Sequence, residues 1–112
     1  MSKRVIILFT VLVLAALAGT VTKVGDFQIR LSQPVVVGGV TLNPGEYRVA
    51  VGDTRVTITP LNGGKSVEAA IKIEQANKKF DDTVIMYESK NNQTTISEID
   101  PGGRKAKLLF VQ

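Results

Sequence analysis

The stretch Val40-Thr41-Leu42-Asn43-Pro44-Gly45-Glu46-Tyr47-Arg48-Val49-Ala50-Val51 decides the fold class. Tyr47, Val49 and Val51 alternate with Glu46, Arg48 and Ala50, a period of two that gives a strand one apolar and one wet face. The preceding Asn43-Pro44-Gly45-Glu46 places Pro where φ near −65° is wanted and Gly where φ must be positive, the order of a type II turn.

The same grammar extends in both directions. Phe27, Ile29 and Leu31 alternate with Gln28 and Arg30, and Val56 and Ile58 alternate with Arg55, Thr57 and Thr59. Gly38-Gly39, Gly52-Asp53, Asn62-Gly63-Gly64-Lys65, Asn91-Asn92 and Pro101-Gly102-Gly103 punctuate the apolar stretches with turn chemistry. Strands are predicted over 26–32, 34–37, 40–42, 46–51, 54–59, 66–74, 83–88, 93–99 and 106–111. The expected fold is all-β, a small antiparallel β-sandwich or partly closed barrel of about seven to nine short strands. Spanning strands of an outer-membrane barrel need about 9 to 11 residues, longer than most of these.

Four segments need separate treatment. Val67, Ala69, Ile71 and Ile73 alternate, whereas Val67, Ala70 and Ile71 also fit helical spacing; the preceding hairpin signal favours a strand. Gln75 to Phe80 reads as a loop or a single helical turn. Val84-Ile85-Met86-Tyr87 is apolar at every position, the pattern of a central strand covered on both faces. Ile96 and Ile99 fall on opposite parities, which calls for a bulge or a strand end near Ser97-Glu98.

The first residues have a different character. Lys3-Arg4 precede an apolar run from Val5 to Ala18, broken only by Thr10 and ending Ala16-Leu17-Ala18. This is the order of a secretory signal peptide, helical while it lasts and expected to be cleaved after Ala18. The run falls short of the roughly 20 apolar residues of a membrane span. The chain therefore divides into a signal peptide over 1–18, a linker over 19–25 and a β-domain over 26–112. Export implies a periplasmic or extracellular location, with membrane contact only through an uncleaved signal segment.

The 112 residues include no Cys, His or Trp. Thiol nucleophiles, disulfides, zinc sites of the usual ligands and Ser-His-Asp triads are thereby excluded. Loss of Lys3 and Arg4 with the signal leaves 12 basic against 10 acidic residues, a net +2 over 94 residues. The basic groupings, Lys78-Lys79 and Arg104-Lys105 with Lys107, are small and beside turns, so no nucleic-acid face is expected.

Leu42-Asn43-Pro44-Gly45-Glu46-Tyr47-Arg48-Val49 resembles the Leu-x-Pro-Gly-x-Tyr-x-Val step of small bacterial β-sandwich modules, transthyretin-like ones among them. The wider frame is similar to small exported bacterial β-domain proteins of unknown function. It comprises the signal peptide, Gln33-Pro34-Val35 with Gly38-Gly39, the Pro-Gly-Glu-Tyr turn, Glu98-Ile99-Asp100 with Gly102-Gly103, and Lys107-Leu108-Leu109-Phe110. The resemblance implies a fold and export, and brings no active site.

Carboxylates are the remaining candidates for acid-base chemistry. Asp81 and Asp82 are adjacent and, on a strand, would point to opposite faces. Joined with Glu98 or Asp100 they still lack the oxygen-ligand run and tight-turn Gly of a Ca²⁺ loop. Glu98 and Asp100 share one strand face about 7 Å apart if extended, a spacing read as structural. Gly64-Lys65-Ser66 ends like a phosphate loop but lacks its first Gly, Thr59 standing there, and its helix. Asn92-Gln93-Thr94 matches a glycosylation acceptor and marks an exposed loop. Phe27, Tyr47, Phe80, Tyr87 and Phe110 read mainly as core, with the Tyr47 hydroxyl expected to reach a turn carbonyl near Asn43.

These observations lead to an exported, non-enzymatic β-domain that binds partners or assembles with itself through sheet edges, with 27–31 and 106–111 as the expected edges. No catalytic, metal or cofactor-binding residue is assigned, and no cofactor is expected. The alternatives are a small hydrolase or sugar-active enzyme using Asp82, Glu88, Glu98 or Asp100, and a barrel binding an apolar ligand.

Overall fold

The computed structural model describes residues 24–111; the expected signal peptide over 1–18 lies outside the described residues. Nine strands follow one another without a helix among the described residues. They are β1 Phe27–Leu31, β2 Val35–Val37, β3 Val40–Leu42, β4 Gly45–Val51, β5 Arg55–Pro60, β6 Val67–Gln75, β7 Val84–Lys90, β8 Gln93–Asp100 and β9 Ala106–Phe110. All nine predicted strands are present, and the ambiguous segment from Ser66 is strand β6 rather than helix.

The strands form one sheet that does not close into a barrel, in the order β1-β4-β5-β6-β9-β8-β2-β3, with β7 on the other side of β8. Pairing is antiparallel except between β2 and β8, which run parallel through Val36 and Thr95. The long strand β6 joins the two halves of the sheet. Val67–Ala70 pairs with β5, whereas Ile71–Gln75 pairs with β9. Ile71 N–H donates to Thr54 O, and Ala70 O accepts from Val111 N–H, so β5 and β9 lie on opposite edges of β6.

The turns show why the chain reverses where it does. Gly38 and Gly39 have φ of 58° and 79°, the double positive φ of a two-residue hairpin between Val37 and Val40. A Cβ on Gly38 would lie 2.8 Å from the Glu68 carbonyl oxygen, so the same residue also lets the β2–β3 hairpin approach β6. Asn91 and Asn92, at 52° and 64°, make the equivalent turn between β7 and β8. Gly45 has the expected positive φ, but at 150° it lies away from the roughly +80° of a type II turn. It is already extended enough to pair with Leu31 as the first residue of β4.

One hydrophobic core draws on both halves of the sheet. Val49, Val56 and Ile58 from one half and Ile99 and Leu108 from the other are fully buried. Full burial of such a side chain contributes about 1.5–3 kcal/mol. The core extends back to Val24, within the segment read as linker. Tyr47 lies inside, its hydroxyl donating to Asn43 O at 2.6 Å, the bond expected from sequence.

β8 carries the expected bulge. Met86 pairs with Glu98 but Tyr87 pairs with Ile96, leaving Ser97 as the extra residue. That residue turns both Ile96 and Ile99 into the core despite their opposite parities.

Two expectations of position are corrected. β7 is an edge strand, not a central one: Ile85 and Tyr87 pack against the core while Val84 and Met86 remain 46% and 42% exposed. Its apolar run thus reflects one covered face and one open one. β9 is not an edge but lies between β6 and β8, consistent with buried Leu108 and half-buried Leu109 on its two faces.

Candidate functional site

Among the described residues, the strands with an unpaired side are β1, β3 and β7. β3 is three residues long, with Val40 exposed. β1 and β7 belong to opposite ends of the folded sheet, yet they border a common groove of about 310 Å³. Ile29 and Ile85 supply its apolar part; Gln28, Arg30, Glu46 and Thr83 supply its polar rim. This is the place where the sheet stops short of closing.

The rim is lightly charged. Arg30 Nη2 lies 3.2 Å from Glu46 Oε2, both side chains being more than half exposed, so the pair adds about 0–1 kcal/mol. Its role is to place opposite charges on neighbouring β1 and β4. Charged outward residues also discourage indiscriminate edge pairing. On β7 that role falls to Glu88 and Lys90, leaving the Val84–Met86 end the more apolar one.

The structure separates the candidate carboxylates. Asp81 and Asp82 lie exposed in the loop before β7, and Glu88 is exposed on β7. Only Glu98 and Asp100 come together, as neighbours on one face of β8. Asp100 is 6% exposed, and its Oδ1 accepts no hydrogen bond from an N–H or hydroxyl among the described residues. Glu98 is held above the usual carboxylate range, first by its hydrogen bond to Asp100, then by burial and by the Asp100 and Glu74 charges; Lys107 acts in the opposite direction. No group of three acidic side chains suited to a metal ion occurs among the described residues.

Other sequence features resolve as structure. Gly64-Lys65-Ser66 is part of the β5–β6 turn, where Ser66 Oγ and Thr59 Oγ1 are 2.7 Å apart. Asn92-Gln93-Thr94 forms the turn and start of β8, with Asn92 exposed. Phe27 and Tyr47 are buried, and Phe80, Tyr87 and Phe110 are half-buried. Lys78, Lys79 and Lys107 border one shallow depression, but Glu74 and Asp81 share it and offset the charge.

Sequence reading missed Arg104. Its guanidinium donates to Val24 O (3.1 Å), Gly102 O (3.0 Å) and Asp26 O (2.9 Å), fastening the start of the described chain to the β8–β9 turn. A basic residue beside a glycine turn carries no local sign of such distant partners. The burial of Asp100 was equally hidden, since alternation places it on the outer face with Glu98. The loop between β6 and β7 folds over that end of β8: Gly103 N–H donates to Phe80 O, and Gly102 N–H to Thr83 Oγ1.

Compared with protein-family models, curated proteins and solved structures, the chain matches none.

Proposed function

We propose that this chain is an exported, non-enzymatic β-domain that acts by binding a partner, or further copies of itself, through its open strand edges. The observation that carries the reading is the pair of unpaired edges, β1 and β7, bordering one groove with Ile29 and Ile85 within it and Val84 and Met86 exposed beside it. An edge strand presents main-chain donors and acceptors to any extended segment, and adjoining apolar side chains supply selectivity. The sandwich-like stacking of the two sheet halves around one core gives these edges a rigid support. The basic and apolar order of residues 1–18 supports export to the periplasm or the cell exterior, in keeping with the likeness to small exported bacterial β-domain proteins.

The reading moves the expected contact from the last strand to β7, because β9 is paired on both sides. The test is to express the full chain in its host, crosslink the envelope fraction and compare wild type with Val84→Lys/Met86→Lys. Loss of crosslinked species by a variant of unchanged melting temperature supports an edge contact. Crosslinked species that persist unchanged in the variant, or a wild type that is strictly monomeric and captures nothing, sinks it.

A further inference from the structure

The hydrogen bonding of β7 fixes which of its groups face outward. Lys90 and Gln93 close the two-residue turn at Asn91-Asn92. The carbonyls of Glu88 and Met86 accept from Thr95 Oγ1 (3.3 Å) and Ser97 Oγ (3.1 Å) of β8. Even-numbered residues of β7 therefore turn their main-chain groups toward β8. Successive residues alternate, so Ile85, Tyr87 and Ser89 present N–H and C=O to the open side. The even-numbered side chains, Val84, Met86, Glu88 and Lys90, are exposed on the outer face. Across the groove β1 comes opposite Thr83 and Ile85 at the start of β7, which leaves residues 87–90 as the part of the edge beyond the groove.

On the premise that β7 is a contact edge, as proposed above, we propose that two copies of this chain pair antiparallel through the outer half of β7, with Ser89 opposite Ser89 on the two-fold axis and Glu88 of each copy facing Lys90 of the other.

Charge selects that register. Two such edges share a ladder only where outward-facing residues meet outward-facing residues, so the axis passes through a residue and not between two. An axis at Tyr87 or earlier carries the second strand alongside Ile85, where β1 bounds the groove. An axis at Glu88 or Lys90 sets like charges directly opposite each other, which is destabilising. An axis at Ser89 instead sets Glu88 against Lys90 on both sides of the centre. These are non-hydrogen-bonded positions, where Cα atoms are about 4.5 Å apart and side chains come closest. Ser89 meets its counterpart as a hydrogen-bonded pair, with about 5.5 Å between Cα atoms. The two charges that discourage pairing with other strands thus admit one partner in one register.

The contact is short, so covalent trapping is the suitable measurement. The chain has no cysteine of its own, and a single introduced thiol reports only contacts between copies. The Ser89 pair spacing lies within the roughly 4.4–6.8 Å that a disulfide bridges. Under copper-phenanthroline oxidation of the full chain, Ser89→Cys is expected to dimerise several-fold faster than Asp53→Cys, an exposed position in the β4–β5 turn. Adding Glu88→Lys should lower trapping to the control rate, because Lys then faces Lys. Adding Lys90→Glu as well reverses both charges and should restore it. Equal rates for the two thiols overturn self-pairing. A Glu88→Lys variant that traps as fast as its parent, or a double reversal that stays at the control rate, overturns the register. Failure of trapping while crosslinked envelope species still vanish in Val84→Lys/Met86→Lys overturns self-pairing and leaves the edge reading standing; absence of both overturns both.

Discussion

The guanidinium carbon of Arg104 lies 5.6 Å from the centroid of the Phe27 ring. The same side chain donates to the carbonyls of Val24 and Asp26, on the chain leading into β1. A cation stacked on an aromatic face and fixed by a planar fork of donors is an arrangement that lysine cannot reproduce. Arg104→Ala is therefore expected to cost about 2 kcal/mol in urea unfolding, with early loss of amide protection at Phe27 and Gln28. Arg104→Lys should recover less than half. Equal stability of all three proteins would mean that the clamp is not formed in solution.

Tyr47 makes a second, independent tie. Its hydroxyl bond to Asn43 O spans the turn that leads into β4. Tyr47→Phe keeps the buried ring and removes only the hydrogen bond, for an expected loss of about 1 kcal/mol. Denaturant midpoints with unchanged slope would check it.

Gly38 and Gly39 separate two requirements that glycine meets. Both have positive φ, but only Gly38 faces an obstacle, the Glu68 carbonyl oxygen, whereas a Cβ on Gly39 meets open space. Gly39→Ala should cost about 1 kcal/mol from backbone conformation alone. Gly38→Ala should cost clearly more, because the β2–β3 hairpin must also move off β6. Thermal melts of the two variants side by side decide the order.

Removing Ser97 would test the bulge. Without it Ile96 and Ile99 stand two positions apart, so an unbroken ladder to Met86 and Tyr87 keeps both facing inward. Deletion of Ser97 is therefore expected to be tolerated, at a cost of about 1–2 kcal/mol for the lost bond to Met86 O and the straightened strand. Ser97→Ala, which keeps the residue count and loses only that bond, should cost about 1 kcal/mol. Circular dichroism melts in which the deletion unfolds the domain while Ser97→Ala does not would count against this reading.

What could be read from the chain was local. Alternation at Tyr47–Val51 and Val56–Ile58, the double glycine at Gly38-Gly39 and the parity clash of Ile96 with Ile99 each depend on a few neighbouring residues, and each corresponds to a strand, a turn or a bulge in the structure. Adjacency was not local. Nothing in Ala106–Phe110 says that both of its sides are paired, and an apolar run such as Val84–Tyr87 reads alike in the centre of a sheet and at an edge with one face open. The parallel step between β2 and β8 was hidden for the same reason. So was the candidate site, because the groove between β1 and β7 depends on how the sheet folds back to bring Ile85 to the same groove as Ile29.

That parallel step also governs when the fold can be completed. The β2–β3 hairpin lies near the start of the domain, but the strand that extends its sheet, β8, comes near the end. A chain emerging residue by residue can form β1, β4 and β5 as neighbours early, while the hairpin waits. Such distant pairing slows folding, since the loop must be closed before the contact rewards it. A nascent chain halted before Thr95 would hold an apolar hairpin with no strand to receive it, so completion of the sheet is timed by the last third of synthesis.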